Sequence, residues 1–105
     1  MSPHESKLKN PALDQLFEAI LSLNSLEECY RYFEDLCTIG ELQSMAQRWR
    51  AATMIAQGAT YEEVSSETGM SSATISRIKR FLNYGADGYG LVLERLGLTT
   101  TEEEE

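Results

Sequence analysis

Cysteine, proline, histidine and tryptophan are all scarce in this chain of 105 residues, which holds two, two, one and one of them. A structural zinc site needs about four Cys or His ligands at short spacings. Cys29, Cys37 and His4 contain no CxxC pair and cannot supply one, so no metal is expected. The two thiols lie among periodic apolar residues and read as reduced and packed. No apolar run suits a membrane span or a signal peptide. The expected compartment is a reducing cytoplasm, with no membrane partner. Strand signals are also lacking: there is no sustained alternation and no Asn-Gly hairpin. No Ser/His/Asp set, Cys–His pair or phosphate loop is present, so no enzyme is expected. At this length the chain reads as one domain with a modest core.

Positive charge is in short supply overall but unevenly spread. The net charge is −8. Up to residue 40, Lys7, Lys9 and Arg31 face seven acids, and after residue 84 only Arg95 faces six. Between them, Arg48, Arg50, Arg77, Lys79 and Arg80 slightly outnumber Glu41, Glu62, Glu63 and Glu67. An acidic protein binds polyanions poorly in general, so any nucleic-acid site belongs to this middle stretch.

What is abundant is helical signal. Residues 1–9 are polar and read as a frayed start. Asn10-Pro11 is a cap followed by a first-turn proline. Leu13, Leu16, Phe17, Ile20 and Leu21 then form one stripe on a helix of about residues 11–23. Ser25-x-x-Glu28 is a capping box opening a second helix, with Leu26, Cys29, Tyr30, Phe33 and Leu36 on one face. Thr38-x-x-Glu41 opens a third, running to about Gln57 and closed by Gly58. Its expected stripe is Leu42, Met45, Ala46, Trp49, Thr53 and Ala56. Thr60-x-x-Glu63 opens a short helix to Thr68, and Ser71 or Ser72 caps one of about residues 72–83. Gly85, Gly88 and Gly90 read as a flexible connection before a last helix with Leu91, Val92, Leu93 and Leu96. The acidic end, residues 98–105, reads as a solvated, disordered tail. The fold class is all-α, with about six helices and one domain over residues 10–97.

Residues 61–80 carry a helix-turn-helix pattern. A sharp turn between two crossing helices needs a residue free to take positive φ, and Gly69 supplies it. Ser65 is the small residue expected at the crossing. Val64, Met70, Ile75 and Ile78 stand where inward-facing side chains belong. The outward face then comprises Ser72, Ala73, Ser76, Arg77, Lys79 and Arg80, with Ser71 just ahead of it. Small residues at the N-terminal end permit close approach to base edges, and the cations beyond them suit guanine or phosphate. Trp49 reads as core at the base of this motif.

From about Leu36 to Arg80 the chain resembles the tryptophan-repressor (TrpR) family, in particular its YerC/YecD branch. The resemblance is carried by Gln47-Arg48-Trp49-Arg50, Gly58, Thr68-Gly69 and Ala73-Thr74-Ile75-Ser76-Arg77, and extends loosely to the flanking helices. It implies an intertwined homodimer whose N-terminal helices interlock. It also implies a corepressor pocket between the recognition helix and the preceding long helix, matched here by Thr38, Arg48 and Arg77. The family's glycine after the recognition-helix arginine leaves room for an indole ring. Here Ile78 stands at that position and should fill the space, so tryptophan is not the expected ligand and no cofactor is required; another small corepressor stays open. Arg48 then pairs with a carboxylate such as Glu41, or one across the dimer, and Arg77 faces DNA.

Together these readings give a sequence-specific regulator of transcription, a repressor, that docks on double-stranded DNA as a homodimer. The alternative is a protein-interaction module that uses the helix-turn-helix as a scaffold without binding DNA.

Overall fold

Six helices and no strand make up the regular structure of residues 6–99, the part that the computed structural model describes. His4 and the glutamate run 102–105 lie outside the described residues, as does most of the sequence read as an acidic tail. Among the described residues no helix is long and apolar enough to cross a membrane. The chain divides into two units, one ending at Ile39 and the other beginning at Gly40.

The first unit holds α1 (Pro11–Leu21) and α2 (Leu26–Leu36). Asn10 caps α1 by accepting the Leu13 N–H at 2.8 Å, and Pro11 takes the first position, where a missing N–H costs nothing. Ser25 caps α2 by accepting the Glu28 N–H at 3.1 Å. The Glu28 carboxylate accepts the N–H of Asn24, one residue before the cap, at 2.8 Å. The expected capping box therefore keeps its first bond and moves its second back by a residue. No residue of α1 or α2 is buried. Leu13, Leu16, Ile20, Cys29 and Phe33 are partly covered, whereas Leu21 is 82% exposed, Leu26 80% and Tyr30 67%. Both cysteines are free.

The second unit holds the core. Helix α3 (Ile39–Ala56) leads through Gly58 and Ala59 to α4 (Tyr61–Thr68), then α5 (Ser72–Tyr84) and α6 (Gly88–Arg95). Gly58 ends α3 with φ +96°: its N–H bonds to Ile55 O at 3.0 Å and that of Ala59 to Met54 O at 3.0 Å. This paired pattern satisfies carbonyls that a helix end otherwise leaves open. At α4 both halves of the capping box form, Glu63 N–H to Thr60 Oγ1 at 3.1 Å and Thr60 N–H to Glu63 Oε1 at 2.8 Å. Ala51, Ala52, Val64, Ile75 and Ile78 form one buried cluster, bordered by Trp49, Met54, Ile55, Met70, Leu82 and Tyr89. The Gln57 side chain donates to Leu98 O at 3.2 Å, joining the end of α3 to the segment after α6.

Two expectations are corrected here. The core-facing positions of α3 are Ala51 and Ala52, which the expected stripe omitted, whereas Met45 and Ala46 on that stripe are exposed. Ala51 and Ala52 are wholly covered, in one cluster with Val64, Ile75 and Ile78. Gly88 and Gly90 are inside α6 and not in a connection. Tertiary contacts override their weak helix propensity: Tyr89 stacks on Trp49 with ring centroids 6.2 Å apart, and Leu93 is buried.

Ile75→Ala should lower unfolding stability by about 2–5 kcal/mol through reduced burial and a residual cavity. Gly69 has φ +76° and open space around its Cα, so Gly69→Ala adds backbone strain without a clash. Its expected cost is smaller, about 1–2 kcal/mol. Urea denaturation at fixed protein concentration checks both values and their order.

Candidate nucleic-acid interface

Local chemistry builds the α4–α5 turn. Gly69 takes the left-handed conformation, and its N–H bonds to Ser65 O at 2.8 Å. The Ser65 hydroxyl, exposed at the turn, donates to Met70 O at 3.1 Å. Thr68 Oγ1 donates to Val64 O at 2.7 Å and accepts the Met70 N–H at 3.2 Å. Of the two candidate caps for α5, Ser71 is the one used. It accepts the Thr74 N–H at 3.2 Å and donates to Thr74 Oγ1 at 3.1 Å.

Ile75 and Ile78 fix the rotation of α5. Both are buried against Val64 and the α3 alanines, with Leu82 partly covered one turn on. Residues three and four apart share a helix face, so the remaining positions turn outward. Ser72, Ala73, Ser76, Arg77, Lys79 and Arg80 are all exposed, as is Ser71. Three cations thus fall within about one turn of an open helix face. Arg50 on α3 lies 3.5 Å from the Glu67 carboxylate of α4, so its charge is offset locally. Exposed pairs of this kind contribute little to stability.

Two aromatic rings organise the outward cations. The Arg77 guanidinium lies 6.0 Å from the Phe81 ring centroid, and the Lys79 ammonium lies 5.5 Å from that of Tyr61 on α4. Ser76 Oγ is 3.4 Å from the Tyr61 hydroxyl. Tyr61 is not among the residues that the sequence pattern assigns to this face. Its signal is its place one turn before Val64, on the side of α4 that meets α5.

Behind the face lies a cleft of about 610 Å³, open on one side. Arg48 and Arg77 line it, with Ser44, Thr74, Ile78 and Phe81. Arg48 Nη1 donates to Ser44 Oγ at 3.0 Å. Ile78 forms an inner wall and keeps only 3% of its surface exposed. Two guanidiniums beside aliphatic and aromatic walls suit an anion with an apolar body. The residues that line this cleft all belong to the second unit, whereas Thr38 belongs to the first.

Comparison with known proteins agrees with this architecture. Residues 11–97 match the Trp repressor protein family. Protein YerC of Bacillus subtilis (strain 168) is 58% identical over 96 residues, spanning 91% of this chain and 92% of YerC. The crystal structure of a TrpR-like protein from Eubacterium eligens ATCC 27750 superposes with a TM-score of 0.85 at 53% identity, covering 90% of this chain and 98% of that one. A Staphylococcus aureus structure, described as a candidate Trp repressor, superposes at 0.84 with 52% identity over 90% of this chain and 95% of its own. A match over nearly all the helical chain, with solved structures of the same fold at more than half identity, makes this protein a member of the Trp repressor family, whose members are regulatory DNA-binding proteins and not enzymes.

Proposed function

We propose that this protein is a sequence-specific transcriptional regulator, a cytoplasmic repressor, that binds double-stranded DNA as a homodimer with α5 in the major groove. One observation carries the reading: α5 buries Ile75 and Ile78 while exposing Ser72, Ala73, Ser76, Arg77, Lys79 and Arg80 on a single open face. A recognition helix needs that division, with small residues at the end that approaches base edges and cations beyond.

The homodimer reading draws support from the first unit. Helices α1 and α2 bury no residue, and Phe17, Leu21, Leu26, Tyr30 and Leu36 are exposed. Apolar area on this scale marks an interaction surface. A second copy of the same helices is the proposed cover, and twofold symmetry then presents the cationic face of α5 twice.

Tryptophan is not required in this reading. Ile78 lines the cleft at the position where the family resemblance places a glycine, and the reading takes its side chain to fill the room of an indole ring. Arg48 and Arg77 leave a different small anion open as an effector.

Selection of bound duplexes from a random pool, with and without tryptophan, tests the reading. The expected result is a symmetric site with two half-sites about one helical turn apart, enriched equally in both conditions. Recovery of no duplex, together with capture of a protein partner, selects the scaffold alternative instead. On the selected duplex, Arg77→Ala and Arg80→Ala should each weaken binding by about 1–3 kcal/mol where they read bases, measured by fluorescence anisotropy. Leu26→Asp should convert the dimer to a monomer in sedimentation equilibrium and abolish high-affinity DNA binding.

A further inference from the structure

We propose that Tyr61, with Ser76 and Lys79, forms a seat for one DNA backbone phosphate that spans both helices of the helix-turn-helix. The inference rests on the DNA-binding reading above and adds α4 to the contact surface.

Three side chains meet here from two helices. Tyr61 opens α4, and Ser76 and Lys79 lie on the exposed face of α5. The two hydroxyls stand 3.4 Å apart, and the ammonium of Lys79 sits 5.5 Å from the Tyr61 ring centroid. Each hydroxyl has one hydrogen, and their mutual bond uses one of the two. The other hydrogen stays available to an outside acceptor. The ammonium brings three more donors and a positive charge, held over the ring by attraction to its π face. Tyr61 remains 40% exposed, so the phenol can be reached from solvent.

The group that fits is anionic and rich in acceptor oxygens. A phosphodiester meets both conditions. Arg77 and Arg80 on the same helix make a polyanion the favoured source of that group over an isolated carboxylate. The position points to backbone and not base: in a docked helix-turn-helix the first helix crosses the phosphates while the start of the second approaches base edges. Of the two acids in the first turn of α4, Glu63 is held by its bond from the Thr60 N–H at 2.8 Å, and Glu62 is exposed beside Tyr61.

The test uses the full chain and anisotropy on two duplexes of equal length, the selected site and a scrambled one. Tyr61→Phe keeps the ring beneath Lys79 and removes only the hydroxyl. It should weaken binding about 3- to 10-fold on both duplexes alike, with an unchanged dependence on salt. Lys79→Gln should also weaken both, and in addition lower the salt slope by about 0.9 for each phosphate that it no longer neutralises. Ser76→Ala added to Tyr61→Phe should cost less than it does alone, because Ser76 acts through the Tyr61 hydroxyl to which it donates. If Tyr61→Phe lowers the thermal midpoint, Lys79→Gln decides by the same uniform loss. Wild-type affinity in Tyr61→Phe, or a loss confined to the selected duplex, overturns the phosphate seat while leaving the DNA-binding reading intact. A wild-type protein that binds neither duplex overturns both.

Discussion

The seating of α5 depends on one turn. Gly69 reverses the chain in a left-handed conformation, which side-chain-bearing residues enter only at a cost. The hydroxyls of Ser65 and Thr68 then satisfy the polar backbone groups that the reversal leaves near Val64 and Met70. With the turn closed, Ile75 and Ile78 reach Val64 and the paired alanines of α3, and burial of those five residues fixes the rotation of α5. Every property of the outward face follows from that rotation. A different turn would present the isoleucines to solvent and the cations to the core.

The electrostatics of the chain work against indiscriminate binding. A net charge of −8 repels a polyanion at long range. The cations of α5 act at short range, where contact geometry decides the outcome. Glu67 is paired with Arg50, and the Glu63 carboxylate takes up the Thr60 N–H. Attraction is concentrated on one short helix face, while the rest of the molecule discourages unspecific contact.

Much of this arrangement is legible in the sequence because the responsible interactions are local. Caps at Asn10, Ser25, Thr60 and Ser71 involve residues three or four apart, and each forms. The turn at Gly69 and the exposed side of α5 follow from spacing in the same way. Non-local features are harder to see. Ala51 and Ala52 are buried because neighbouring helices approach them, and their own small size gives no hint of it. The early start of α6 depends on a ring stack between Tyr89 and Trp49, forty residues apart. Tyr61 and Ser76 meet across fifteen residues of chain, and only the α4–α5 crossing brings them together. Arg48 and Arg77 share a cleft, and family resemblance, not spacing, is what pairs them in the sequence.

Ile78 belongs to two compartments at once. One side of it completes the sealed interior and the other bounds the open cleft. A substitution here changes the wall of the cleft and the packing beneath α5 together. Ser44, Gln47 and Thr74 line the same hollow but stand outside the buried cluster, so a change at any of them alters its shape while leaving those five packed side chains in place.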